Sequence, residues 1–303
     1  MALAPCPAPA YNPAMSDAAA SQAPALVLGA RGMLGRSWAA LLAARGIAAK
    51  LLDLPEFDAT RPEHVVAAVT DAFPLVVNCA AWTDVDGAEA NEPAAAAVNA
   101  DAVGLVARRC RETGATLVHY STDFVFDGQA RTPYRTDDPP NPINAYGRTK
   151  LAGERELAAS GCRHLLVRTS WLYAPWCRNF VAAIAGAARK KPVLRVVDDQ
   201  TGRPTSAEHL AGATLRLAEG GATGLWHVTD GGVCTRFEMA ARIVRAVNPA
   251  CRVEPCPSSE FPAPARRPAW SVLDISRTEE RLGPMPDWRA NLDDVVRRLS
   301  AGS

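Results

Sequence analysis

Ala25-Leu26-Val27-Leu28-Gly29-Ala30-Arg31-Gly32-Met33-Leu34-Gly35 is the stretch on which the fold reading turns. Four apolar residues run into a glycine, and a helix-compatible segment, Leu34 to Arg45, follows at once. A second apolar run, Ile47 to Leu52, completes a β-α-β opening. In that context the three glycines serve different physical ends. Gly29 permits the tight turn, Gly32 lets the backbone approach a pyrophosphate, and Gly35 allows the helix to pack closely. The helix N-terminus adds free N–H groups and a partial positive charge for the same anion. The bland alternative is a turn and a helix contact with no ligand.

Outward from the loop, apolar segments recur at Leu75 to Asn78, Thr116 to Tyr120 and Leu165 to Arg168, separated by helical stretches at Pro93 to Thr113 and Tyr146 to Ala159. Near-continuous apolar strands alternating with helices predict an α/β fold, a Rossmann-type doubly wound parallel sheet covered on both faces. After Arg168 the aromatic residues and prolines from Trp171 to Trp176, then Pro255, Pro257, Pro262, Pro264 and Pro268, predict a smaller irregular C-terminal substrate domain. We therefore expect an Ala/Pro-rich disordered tail over 1–24, a dinucleotide-binding domain over 25–170, and a mainly substrate-binding domain over 171–303. A strand near Val193 to Val197 and a helix near Ala207 to Leu217 are expected to return to the main sheet. Met15 is a second plausible start of translation.

The 33 basic and 32 acidic side chains of the 303 residues leave a formal charge of +1, so no footprint for nucleic acid or an anionic membrane is expected. With 48% apolar and 21% charged residues the chain reads as globular, and no apolar run reaches the roughly 18–20 residues of a bilayer span. The tail lacks the pattern of a secretion signal, which points to the cytoplasm. Eight scattered cysteines without a C-x-x-C pair read as buried free thiols, and no metal site is expected.

Asp53 ends the second strand 24 residues after Gly29, about where a carboxylate meets the adenosine ribose and repels a 2′-phosphate. Arg31, inside the glycine loop, argues the other way, so NADPH and NADH both stay open. Asp58 is placed for the adenine end, or equally for a helix cap. Tyr146-Gly147-Arg148-Thr149-Lys150 sets a phenol and an ammonium four residues apart, on one helix face. Alone, that spacing is more often a solvated face. About 115 residues downstream of a nucleotide loop it reads as catalytic, with Lys150 lowering the phenol's pKa of about 10 and holding ribose hydroxyls. Thr122, at the carboxyl end of a parallel strand, is the third member, set to hydrogen-bond a substrate carbonyl; its bland reading is a turn cap. Cys79-Ala80-Ala81-Trp82-Thr83 supplies small residues where backbone passes under the cofactor.

Further runs narrow the reading: Asn78-Cys79-Ala80-Ala81-Trp82-Thr83-Asp84-Val85-Asp86, Ser121-Thr122-Asp123-Phe124-Val125-Phe126-Asp127-Gly128, Tyr146 through Glu154, and Arg168 through Tyr173. Asp199 through Thr205, Gly224-Leu225-Trp226-His227 and Arg267-Pro268 continue the order. Over about residues 25 to 300 this succession resembles the dTDP-4-dehydrorhamnose reductase family, in the extended branch of the short-chain dehydrogenase/reductase superfamily. The resemblance implies reduction of the C4 ketone of dTDP-4-dehydro-L-rhamnose or a related nucleotide 4-keto-6-deoxyhexose. Tyr146 would give the proton, assisted by Lys150 and Thr122. It implies that Gly32, Met33, Leu34, Asp53, Asp58, Ala59, Ala80, Ala81, Thr83 and Tyr120 line the cofactor and that Trp171 packs on the sugar. Arg267 is the candidate for the substrate diphosphate, since a guanidinium fork matches phosphate oxygens.

Met33 and Phe124 stand where the family commonly has glutamine and tyrosine, and neither lies on the proton path. Ser37 occupies the place of a glutamate that some members use in a magnesium-bridged dimer, so that metal is not carried over and a homodimer is left open. The rivals are a 4,6-dehydratase, a 4-epimerase, and a non-catalytic subunit like the regulatory subunit of methionine adenosyltransferase. Elimination of water needs an extra acid and base beside the threonine, and here apolar Phe124 follows Thr122-Asp123.

Overall fold

The computed structural model describes residues 23–301; the expectations for the tail and for Met15 fall outside them. The first half alternates as anticipated: β1 (Ala25–Leu28), α1 (Met33–Ala44), β2 (Ala49–Leu52), α2 (Pro62–Ala68), β3 (Leu75–Asn78), α3 (Val85–Ala90), α4 (Glu92–Ala96), α5 (Ala102–Thr113), β4 (Thr116–Thr122), α6 (Ala145–Ser160) and β5 (His164–Thr169). Then come β6 (Leu172–Tyr173), α7 (Phe180–Ala188), β7 (Val193–Val197), β8 (Thr201–Gly202), β9 (Thr205–Ser206), α8 (Ala207–Glu219) and β10 (Gly224–His227). The chain closes with β11 (Cys234–Thr235), α9 (Arg236–Val247), β12 (Arg252–Cys256), α10 (Ser276–Leu282) and α11 (Trp288–Ala301).

Six parallel strands form the main sheet in the order β10-β5-β4-β3-β1-β2. Alternation along β1 shows why both faces must be covered. Ala25 and Val27 join Trp38 and Leu42 of α1 and Leu210 of α8, while Leu26 and Leu28 join Val65 of α2, Val106 of α5 and Leu157 of α6. Strand order reverses between β1 and β3, and the crevice beyond the carboxyl ends of those strands is where ligands of doubly wound sheets bind.

One expectation about the return of the chain is corrected. Helix α8 does pack against α1, but Val193–Val197 pairs with β12 in a separate two-stranded sheet. The sixth main-sheet strand is β10, parallel to β5. Arg195 in the middle of β7 is exposed while Leu194 and Val196 are buried against Val244 and Cys251, a one-sided pattern that suits a small sheet with helices on one face only. The C-terminal lobe has its own core, in which Tyr173, Val181, Met239, Ile243, Trp288 and Leu292 meet across α7, α9 and α11.

All seven cysteines among the described residues are free. Cys177 departs from the buried expectation: it is exposed, in a turn with φ of 64°. No helix among the described residues is long and apolar enough to cross a membrane.

Candidate active site

The glycine loop folds as its spacing predicts. Gly29 has φ of 75°, and a Cβ there would lie 2.6 Å from the Ala80 backbone nitrogen, so the loop rests directly on the segment after β3. A Cβ on Gly35 would fall on the Gly29 carbonyl oxygen, so α1 starts hard against the turn. Gly32 caps α1 without any side-chain acceptor, leaving the first-turn N–H groups to whatever occupies the space in front of them.

That space is a cavity of about 580 Å³. Gly32, Met33 and Leu34 form one end, Ala80, Ala81 and Thr83 its floor, and Tyr120, Thr122, Tyr146, Lys150 and Trp171 the rest of the sequence-predicted lining. Gly29 and Gly35 stand behind it as packing residues. Three buried oxygens on its wall, Ser121 Oγ, Asp123 Oδ2 and Thr169 Oγ, have no hydrogen-bond partner among the described residues. Orphaned polar atoms around an uncapped helix N-terminus fit a polar, anionic ligand such as a dinucleotide with a sugar substrate. Arg31 and Asp53 line a second hollow of about 390 Å³ with Leu52 and Glu56.

Asn144 caps α6 by accepting from the Gly147 N–H at 2.7 Å, and Tyr146 and Lys150 follow one turn apart. The Lys150 ammonium, 3% exposed, donates to the Tyr120 carbonyl at 2.7 Å, tying α6 to β4. Burial brings its pKa down to about 8, opposed by the Glu154 carboxylate. Tyr146 corrects the expectation of an acidified phenol: burial, with the Asp123 carboxylate, pushes it up to about 12, and only the Thr122 hydroxyl pulls downward. The Lys150 ammonium, its Nζ turned to the Tyr120 carbonyl, does not offset that rise. A phenol at that value is fully protonated at neutral pH, the state a proton donor needs. The Phe124 ring meets Tyr146 edge-on at 5.8 Å.

Three contributors escaped the sequence reading. Asp123 is 2% exposed, accepts from the Thr122 hydroxyl at 3.0 Å, and is raised by burial to about 6. Arg236, the first residue of α9, lines the cavity with its guanidinium 3.5 Å above the Trp171 ring and 5.0 Å from that of Phe180. Burial lowers it to about 10, so it stays charged at neutral pH. Asn99 lies in a wide helical turn, Ala97–Asp101, and holds the loop after β3 by accepting from the Trp82 N–H and donating to its carbonyl, while also donating to the Thr149 hydroxyl of α6. No local spacing betrays any of them, although Asp123 stood beside Thr122 and deserved a role on position alone.

Trp171 carries φ of 47°, a left-handed conformation that turns its ring over Gly202, where a Cβ would lie 2.6 Å from the indole. Besides Gly29 and Gly35, three predicted site residues are not brought to either hollow. Asp58 accepts from the Thr60 N–H and hydroxyl at 2.9 and 2.6 Å in a local turn, and the helix-cap alternative is not realised either, since Arg61 is the N-cap of α2 and no side chain caps it; Ala59 is buried in the core. Arg267 is held by Asp86 at 3.0 and 2.8 Å and by the Ala265 carbonyl, so its fork is already matched.

An uncapped glycine turn at the switch point, sharing one cavity with a phenol and an ammonium a helical turn apart, defines a nicotinamide-dependent oxidoreductase of the short-chain dehydrogenase/reductase class. Sequence comparison narrows this. The family described as RmlD substrate binding domain matches residues 24–301, and the chain belongs to that family. It is 40% identical over 293 residues to the dTDP-4-dehydrorhamnose reductase of Burkholderia thailandensis, covering 90% of this chain and 98% of the relative. The crystal structure of a dTDP-4-dehydrorhamnose reductase from Clostridium acetobutylicum superposes with a TM-score of 0.87 at 34% identity, over 91% of this chain and 99% of that one. One from Bacillus anthracis, solved in complex with NADP, gives 0.86 at 31% identity, over 92% and 99%.

Proposed function

We propose that the chain reduces the C4 ketone of dTDP-4-dehydro-L-rhamnose, or of a closely related nucleotide 4-keto-6-deoxyhexose, with NADPH or NADH, giving dTDP-L-rhamnose. The observation that carries this reading is convergence. Tyr146, Lys150 and Thr122 meet the glycine turn in one cavity, in a chain alike over nine-tenths of its length to reductases of that ketone.

The glycine turn and Lys150 would hold a reduced nicotinamide dinucleotide, which when bound would supply hydride to the carbonyl carbon. As the carbonyl π pair moves onto oxygen, Tyr146 gives that oxygen its phenolic proton; burial keeps the proton available up to about pH 12. Thr122, its hydroxyl fixed by Asp123, orients the carbonyl oxygen beside the phenol. The Lys150 ammonium, anchored on the Tyr120 carbonyl, stabilises the phenolate left behind. Arg236, charged and stacked on Trp171, takes over from Arg267 the part of diphosphate partner, while Trp171 covers the sugar. Apolar Phe124 against Tyr146 leaves no extra acid-base pair for elimination. The reductase names of the relatives weigh against the epimerase and binding-subunit alternatives.

The same reading gives the dinucleotide to the lobe of 25–170 together with α8 and β10, and the sugar mainly to the lobe beyond 171. It takes a nucleotide sugar, not nucleic acid, as partner, and the cytoplasm as the place of work. The test is absorbance loss at the reduced-nicotinamide band with dTDP-4-dehydro-L-rhamnose, NADH and NADPH in parallel, with the product identified by NMR. Consumption of cofactor with formation of the C4 alcohol is expected; no consumption with any 4-keto nucleotide sugar refutes the proposal.

A further inference from the structure

The second hollow, at the carboxyl ends of β1 and β2, holds two carboxylates and one guanidinium: Arg31 pairs with Glu56, and Asp53 is held by backbone N–H groups. Asp53 accepts from the Arg31 backbone N–H at 2.6 Å and from the Leu54 N–H at 2.7 Å, one with each oxygen. It is thereby fixed in place with its charge facing the hollow. The Arg31 side chain is drawn along the wall: one terminal nitrogen donates to the Leu54 carbonyl, and the other lies 2.9 and 3.0 Å from the two carboxylate oxygens of Glu56. The formal charge of the three side chains is −1.

We propose that Glu56 sets the choice between the two nicotinamide dinucleotides: by latching Arg31 it leaves the adenosine hollow net negative, so a ribose with a free 2′-hydroxyl is preferred over one bearing a 2′-phosphate. The inference rests on the reading of the glycine turn as a dinucleotide cradle. A 2′-phosphate brings about two negative charges and wants a guanidinium fork. Here the Arg31 fork is already taken, one terminal nitrogen by Glu56 and the other by the Leu54 carbonyl, and Asp53 and Glu56 both repel the incoming anion. A ribose diol has hydroxyl donors for those same carboxylates and needs no cation. The latch is exposed on both sides, so it opens at small cost once its acceptor is removed, and Arg31 then becomes a phosphate partner. Glu56 thus decides which of two opposed local signals, Asp53 or Arg31, governs the site.

The experiment is calorimetric titration of the full chain with NAD+ and NADP+, independent of turnover, for wild type, Glu56→Gln and the double variant Glu56→Gln/Arg31→Ala. Glu56 is exposed, and circular dichroism checks that each variant is folded. Wild type is expected to bind NAD+ more tightly. Glu56→Gln is expected to tighten NADP+ by about five- to tenfold, to change NAD+ less than about twofold, and to lose its gain in the double variant and at high salt. Tighter NADP+ binding by wild type, or an equal or absent response of the two dinucleotides to Glu56→Gln, overturns the inference while the oxidoreductase reading stands. If neither dinucleotide binds wild type, both fall.

Discussion

Arg168 on β5 donates from Nε and Nη2 to the two carboxylate oxygens of Glu154 at 2.8 and 2.7 Å, and Glu154 stands one helical turn beyond Lys150 on α6. Both partners are almost fully buried. The pair therefore holds a carboxylate near the Lys150 ammonium, where it offsets part of the burial that drives Lys150 down to about 8. Activity that needs charged Lys150 is present below that value and lost as pH rises through it.

Replacing Glu154 with Gln removes the offset and moves this alkaline limb of kcat/KM to lower pH, by up to about one unit. Replacing Arg168 with Met leaves the carboxylate to Lys150 alone and moves it upward. Each single change strands a buried charge and costs about 3–5 kcal/mol of stability. Thermal unfolding and pH profiles on folded protein separate the common destabilisation from the opposed pH shifts; shifts of the same sign would count against the argument.

Tyr146→Phe removes the transferable proton and keeps the ring that packs on Phe124. Ketone reduction is expected to fall by about 10²–10⁴-fold, with dinucleotide affinity retained. Steady-state kinetics with a parallel binding titration checks both halves.

Asp123 carries a stability cost at neutral pH. Burial raises its folded value to about 6, above the ordinary 3.8, so the folded state holds the proton more tightly than the unfolded one. Its contribution is fully present below about pH 4 and disappears as pH rises through 6. Asp123→Asn, neutral at every pH, is expected to stabilise the fold at pH 7.5 by about 1–3 kcal/mol, and to show no such advantage at pH 4. The same variant replaces the carboxylate that accepts from the Thr122 hydroxyl with a weaker amide acceptor, and kcat is expected to fall. Melting temperatures at the two pH values decide the stability half.

Gly202→Ala places a Cβ 2.6 Å from the Trp171 indole and displaces that ring together with the Arg236 guanidinium stacked on it. KM for the nucleotide sugar is expected to rise about tenfold, with dinucleotide affinity unchanged. Arg236→Met is expected to raise the same KM further, and Arg267→Met, whose partner is Asp86, much less. Equal effects of the two arginine variants would return the diphosphate role to Arg267.

The sequence by itself carried the glycine turn, the alternation of strands and helices, and the Tyr146–Lys150 spacing. Each is a local feature: a positive φ at Gly29, a period of two or 3.6, and two side chains one turn apart are decided within a few residues of backbone. Only the tertiary structure decided that Arg236, ninety residues beyond Tyr146, closes the cavity, that Asp58 and Arg267 are occupied elsewhere, and that Val193–Val197 pairs with β12. It also reversed the expected direction for Tyr146, because a pKa sums desolvation and charge over every segment that packs around the group. Spacing along a chain specifies which groups can meet; the protonation state in which they meet depends on how much water the rest of the fold excludes.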